Sequence, residues 1–133
     1  MNTNTIAKVL AAIVALLCLV IGARYMFAPA GVLEGAGFDP AGVSVLGLAT
    51  LRAVFGGAFL MFTITIMAHS VRDGQDTAMR FAVLFWLLYT VGRIVSMVAD
   101  GVVDGSIRSA IPGFVALLLS IGSVVMFSKS KTA

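Results

Sequence analysis

Ile6–Phe27 reads IAKVLAAIVALLCLVIGARYMF, 22 residues whose only charges are Lys8 and Arg24, one near each end. A helix needs roughly 20 predominantly apolar residues to cross the apolar slab of a bilayer, and this run supplies them. Three further stretches repeat the pattern: 43–68, 78–99 and 110–127. Together the four use most of the 133 residues, which explains a chain that is 60% hydrophobic and only 11% charged, with a mean hydropathy of +1.08. A soluble enzyme domain is excluded by that apolar share. Disorder is excluded because it requires the opposite balance of charge and hydrophobicity. The expected fold is all-α: one domain, 1–133, forming an integral membrane four-helix bundle with short loops.

The connections between spans carry turn and breaker residues. Pro29, Gly31, Gly35, Gly37 and Pro40 punctuate the first, Asp73, Gly74 and Asp76 the second, and Asp100, Gly101, Asp104 and Gly105 the third. None is long enough to hold a soluble domain. Pro112 is expected in the first turn of the fourth span, where its missing N–H removes no helical hydrogen bond, so it reads as a helix start and not a kink. The first span imitates a secretory signal through Lys8, the apolar stretch 9–23 and the triplet Ala28, Pro29, Ala30. Arg24, Tyr25, Met26 and Phe27 make a bulky lead-in to a cleavage site, so a span is the expectation.

With four spans, both termini and the middle loop share one side. That side holds Lys8, Arg72, Arg80, Lys129 and Lys131 against Asp73 and Asp76, which accounts for the whole formal charge of +3. The other half balances Arg24, Arg52, Arg93 and Arg108 against Glu34, Asp39, Asp100 and Asp104. The positive-inside rule then puts both termini in the cytoplasm. The basic balance speaks for insertion topology and anionic lipid, not for nucleic acid.

Arg52 and Arg93 lie inside apolar spans, where an ionisable side chain is costly and is expected to face a protein interior with a partner. At 1.5 Å of rise per residue both lie on the order of 10 Å inside the outer boundary, and Arg24 sits nearer the same boundary. On the third span Tyr89, Arg93, Ser96 and Asp100 fall within a strip about 60° wide. On the second, Arg52 shares its strip with Gly56, Phe59 and Thr63, and the missing side chain at Gly56 leaves room for a neighbour, a water or a ligand. Two readings stay open. In the first, Arg52 and Arg93 pair with Asp100, Asp104, Asp39 or Glu34 and fix how helices dock. In the second, Arg52 and Arg93 converge on an outward-opening pocket for an anionic group such as a lipid headgroup, a carboxylate or a quinone oxygen, with guanidinium forks as donors, and with Tyr89, Ser96, Thr63, Gly56, Asp100 and Arg24 as neighbours in the candidate site. Arg24 also reads as a snorkelling interfacial residue.

Small residues recur every three or four positions at Ala49, Ala53 and Gly57 on the second span and at Gly113, Ala116, Ser120 and Ser123 on the fourth. Such stripes let helix backbones approach in lipid, within one bundle or between copies. His69 reads as an interfacial or capping residue, Trp86 as packing or lipid contact, Cys18 as a small apolar residue, and the methionines as core filler. One histidine and one cysteine cannot supply the ligand sets of zinc, cluster or bis-His haem sites. No metal, cofactor or catalytic residue is therefore expected.

The stretches LRAVFGG (Leu51–Gly57) and VGRIVSMVADG (Val91–Gly101) resemble an uncharacterised family of small four-span bacterial membrane proteins, a domain-of-unknown-function family similar to the DoxX-like proteins. The resemblance implies a multi-pass protein of the bacterial inner membrane. Its recognisable features fall on Arg52, Gly56, Gly57, Arg93, Asp100 and Gly101, and it implies no reaction. DoxX-like relatives are linked to membrane redox systems as partner subunits. The leading expectation is a non-catalytic accessory or scaffold subunit of a membrane complex or homo-oligomer, in contact with membrane lipid. The alternative is a binding protein or transporter for a lipid or small lipophilic anion. A lipid-modifying enzyme is disfavoured, because an aspartate beside an arginine is a poor base and no nucleophile accompanies it.

Overall fold

The computed structural model describes residues 2–99 and 106–132, apart from the side chains of residues 96, 99, 106, 108, 109 and 132. It is all-helical, with no strand among the described residues. Four helices are long and apolar enough to cross a membrane. We label the helices α1 (Thr3–Phe27), α2 (Pro29–Gly35), α3 (Val45–Arg72), α4 (Thr77–Ala99) and α5 (Ser106–Thr132).

Local chemistry accounts for the breaks. The Asn2 side chain caps α1 by accepting from the Asn4 N–H at 3.2 Å. Ala28 leaves the helical region (φ −136°, ψ 53°) because Pro29 follows it, and Pro29 then opens α2 at a position that needs no N–H. Gly37 takes φ +85° just beyond α2, with its N–H donated to the Glu34 carbonyl and the Phe38 N–H to the Leu33 carbonyl. This is a Schellman stop, which favours glycine because a left-handed conformation clashes with Cβ. The Asp39 carboxylate caps a 3-10 turn at Pro40–Gly42, and the Ser44 hydroxyl caps α3 through the Gly47 N–H.

α3 is not uniform. Its segments Arg52–Gly56 and Ile66–Arg72 are π-helical, with wide bonds such as Gly57 N–H to the Arg52 carbonyl and Asp73 N–H to the Ala68 carbonyl. A wide turn contains one surplus residue, so the faces beyond it are rotated relative to a continuous α-helix.

α1 packs along both α5 and α3, and α4 packs along α5, whereas α3 and α4 approach each other chiefly through Ile66–Arg72. Ala7, Ala11, Val14, Ala15 and Cys18 form the buried face of α1, against Ala116, Leu117, Ser120 and Ser123 of α5 among others. The Ser123 hydroxyl donates to the Ala7 carbonyl at 2.9 Å, and the Thr63 hydroxyl donates to the Phe59 and Ala15 carbonyls at 3.0 and 3.3 Å. α1 and α3 cross on two glycines. A Cβ on Gly22 would stand 3.1 Å from the Leu60 nitrogen, and one on Gly56 would stand 3.2 Å from the Met26 nitrogen. The outward surface is apolar, and no more than 33% of any span is buried inside the molecule. Leu16, Ile64, Phe81, Leu88 and Leu118 are all exposed, as suits helices bathed in hydrocarbon.

Both termini and the 73–76 turn lie at one end. Lys8 Nζ donates to the Arg72 carbonyl at 3.2 Å. The buried Asp76 carboxylate holds Lys131 at 2.7 Å and Arg80 at 2.8 Å. The Lys131 hydrogen bond, with help from Arg80, lowers the Asp76 pKa from 3.8 to about 2 despite the opposing effect of burial.

Two expectations change. Pro112 lies in the second turn of α5, not the first, because the helix begins at Ser106 and incorporates SIRSA ahead of the apolar stretch. The second span extends to Arg72, since its wide final turn carries the helix past 68.

Candidate functional site

At the end opposite the termini, where α3 and α4 stand apart, the helices enclose an open cavity of about 610 Å³. Ile21, Arg24 and Tyr25 of α1 line one wall. Val54, Phe55, Ala58, Phe59 and Phe62 of α3 line the next, and Phe85, Trp86, Leu88 and Tyr89 of α4 stand opposite. Pro112 and Gly113 close the side toward α5, and Val32, Gly35 and Ala36 bring α2 and the residue after it over the space. The α3 wall runs from Val54 to Phe62, about 12 Å at the helical rise of 1.5 Å per residue. Cavities of about 300–1,000 Å³ accommodate drug-sized ligands.

Seven of the chain's twelve aromatic residues line this one space. Their rings form a connected chain. Tyr25 stacks on Phe55 and Phe59 at 5.3 and 6.3 Å, and Phe59 meets Phe85 and Trp86 at 5.6 and 6.0 Å. Phe85 contacts Phe62 and Trp86 at 5.0 Å each, and Trp86 reaches Tyr89 at 5.7 Å. The edge-to-face geometries at Phe59–Phe85, Phe85–Trp86 and Trp86–Tyr89 are favourable beyond their buried area. The wall is accordingly fixed rather than loosely filled. Gly113 contributes by absence: a Cβ there would collide with the Tyr89 ring, so the glycine lets that ring lie against α5 and leaves the space open.

The polar equipment is sparse. The Arg24 guanidinium is exposed at the cavity and makes no hydrogen bond or ion pair among the described residues. The Tyr25 hydroxyl makes no hydrogen bond there either. No acidic residue among the described residues lines the cavity. The arrangement can hold an apolar body between aromatic faces and offer N–H and O–H donors to it; among the described residues it contains neither a nucleophile–base pair nor a cluster of three metal-ligating side chains.

The expected site residues are distributed differently. Arg24 and Tyr89 line the cavity. Thr63 is buried and bonded to backbone carbonyls of α3 and α1. The space beside Gly56 is taken by the Met26 backbone, so the glycine serves helix crossing instead of making room next to a guanidinium. Arg52 does not line the cavity, lies exposed on the surface of α3 rather than facing an interior, and pairs with no acid among the described residues. Glu34 and Asp39 are both exposed, and Asp39 is engaged in its cap. Arg93 is half-buried on α4 beyond the cavity. Asp100, Gly101 and Asp104 lie outside the described residues, as does the Ser96 side chain.

Of the small-residue stripes, Gly113, Ala116, Ser120 and Ser123 are buried. Ala49 and Ala53 are exposed, and nothing approaches within 4 Å of a Cβ on Gly57, so this stripe packs against no neighbour among the described residues. The aromatic wall is what the candidate site omitted. Phe55, Phe59 and Phe62 are spaced by four and three residues on α3, and Phe85, Trp86 and Tyr89 cluster within five on α4. That spacing signals one aromatic face on each helix. A second, smaller recess of about 270 Å³ at the terminal end is lined by Thr65, His69, Gln75, Thr77, Ala78 and Phe81.

Comparison with curated proteins and with solved structures gives no match. The family model described as Domain of unknown function (DUF4345) matches residues 6–112, a stretch that includes every cavity-lining residue but Gly113. The chain therefore belongs to this family of proteins carrying a domain of unknown function (DUF4345).

Proposed function

We propose that this is a multi-pass membrane protein that binds a lipophilic small molecule in the aromatic cavity, with access from the surrounding lipid where α3 and α4 diverge. The observation that carries this reading is the convergence of seven aromatic side chains from three helices on one open space of about 610 Å³. A helix set built only for packing would fill such a gap, since unfilled volume in a core is destabilising by tens of cal/mol per Å³. In this reading the four spans form a bundle in a bacterial inner membrane, with the termini on the cytoplasmic side where the basic excess lies.

The test uses Trp86, the chain's single tryptophan, which stands in the cavity wall. Purified protein in mild detergent is titrated with a brominated fatty-acid methyl ester, a neutral lipophile whose bromines quench indole fluorescence on contact. Saturable quenching is expected, and the variant Ala58→Phe, which fills the cavity, should abolish it. Quenching that never saturates, or that is the same in both proteins, would refute the reading.

A second reading, an accessory subunit or homo-oligomer akin to the DoxX-like proteins, is favoured by one observation. The Ala49, Ala53, Gly57 stripe faces outward and is open to close approach by another helix. Native mass spectrometry in mild detergent distinguishes the two through copy number and co-purifying chains.

A further inference from the structure

Resting on the reading of the cavity as a lipophile site, we infer that its ligand is an amphiphilic anion: an apolar body carrying one oxyanion head. Three features of the cavity select that class. First, its charge is one-sided. Arg24 lines it, no acid among the described residues does, and the Arg24 guanidinium makes no hydrogen bond or ion pair among them. A guanidinium beside an apolar wall is poorly solvated on that side, and a carboxylate or phosphate oxygen satisfies its fork better than any neutral group.

Second, a further donor stands next to it. Tyr25, the adjacent residue, also lines the cavity, and its hydroxyl makes no hydrogen bond among the described residues. A phenol and a guanidinium on successive positions of one helix are about 100° apart around its axis. Both residues line the same cavity, so a two-oxygen head group can accept from each.

Third, polarity falls along the cavity. Met26 is level with Gly56 and Gly22 with Leu60 where the helices cross, so Arg24 and Tyr25 lie nearer the end away from the termini, while Phe62 and Phe85 lie deeper toward the middle. Head at Arg24 and Tyr25, body against Phe59, Phe62, Phe85 and Trp86: the site has the same polarity gradient as an amphiphile seated in one leaflet. Two sources share this chemistry, a free fatty carboxylate and the head of an anionic phospholipid.

The experiment titrates Trp86 fluorescence with a brominated fatty acid and its methyl ester at pH 8, where the acid is ionised. Four proteins are compared: the native chain, Arg24→Gln, Tyr25→Phe and Arg52→Gln. We expect the acid to bind about tenfold tighter than the ester, the increment of one charge-assisted contact. Arg24→Gln should remove that preference while leaving ester binding intact, and Tyr25→Phe should reduce it by a few-fold. Arg52→Gln, which removes the same charge from a residue outside the cavity, should change nothing. Equal binding of acid and ester overturns the anion assignment while the cavity reading stands; absence of saturable quenching by either overturns the cavity reading itself. An equal loss of preference in Arg52→Gln and Arg24→Gln would reduce the effect to net charge and also overturn the assignment. Vesicles containing brominated phosphatidylglycerol or brominated phosphatidylcholine identify the source: quenching by the former that depends on Arg24 assigns the phospholipid head, and quenching by the free acid alone assigns the fatty carboxylate.

Discussion

Gly56 and Gly57 are adjacent, both helical, and expected to respond to alanine with opposite signs. In a helix interior, alanine is favoured over glycine by about 1 kcal/mol. At Gly57 nothing lies within 4 Å of the added Cβ, so Gly57→Ala should gain most of that and stabilise by about 0.5–1 kcal/mol. At Gly56 the Cβ would stand 3.2 Å from the Met26 nitrogen and 3.4 Å from its Cα. Both are backbone atoms of α1 and cannot rotate away, as the Met26 Cε at 3.3 Å can. Overpacking of this kind costs about 1–3 kcal/mol. The net effect of Gly56→Ala is therefore a loss of up to about 2 kcal/mol, and the two variants should differ by about 1–3 kcal/mol. The assay is reversible unfolding in mixed detergent micelles, followed by helicity and by Trp86 emission. A Gly56→Ala protein as stable as Gly57→Ala would mean that α1 and α3 do not cross at these residues, and the account of what holds the cavity wall in place would fail with it.

Asp76 ties stability to pH. Its pKa is lowered from 3.8 to about 2 in the folded chain, so the ion pairs contribute above pH 4 and their contribution is lost as pH falls from about 4 toward 2. Asp76→Asn should flatten that part of an acid titration and cost about 1 kcal/mol near neutrality, the upper end for pairs whose cations are exposed. Gly113→Ala should push the Tyr89 ring into the cavity and weaken lipophile binding in the Trp86 titration, with helicity unchanged. Ser123→Ala should destabilise by about 0.5–1.5 kcal/mol through loss of the buried bond to the Ala7 carbonyl, measured by the same micellar unfolding.

The four spans are legible because they depend on composition and on breakers such as Pro29 and Gly37, which act locally; their ends are less so, since α5 begins at Ser106 and α3 runs on to Arg72. Facing was legible where the helix is regular. The stripe Gly113, Ala116, Ser120, Ser123 is buried on α5 as its spacing implies. On α3 the same reasoning fails, because the wide turns at Arg52–Gly56 and Ile66–Arg72 rotate one stretch against the next, and no single 100° wheel describes the helix. Arg52 shows the result. Phase placed it with Gly56, Phe59 and Thr63, all three buried, yet it is exposed and has no acid beside it among the described residues. The cavity is not legible in the sequence for another reason. Each aromatic cluster was visible on its own helix, but which helices would stand apart depends on tertiary packing that periodicity does not encode.

Asp76 is, mechanically, a latch. It joins Lys131 across 55 positions of sequence, closing a loop that contains all of α4 and nearly all of α5. A pull on the C-terminal residues reaches this ion pair first and passes through it to the turn after α3, before any load falls on the α4–α5 seam. One proton opens it. Because that proton is taken up only toward pH 2, the latch stays closed, and the C-terminal end stays tied to the turn after α3, wherever the medium is above about pH 4.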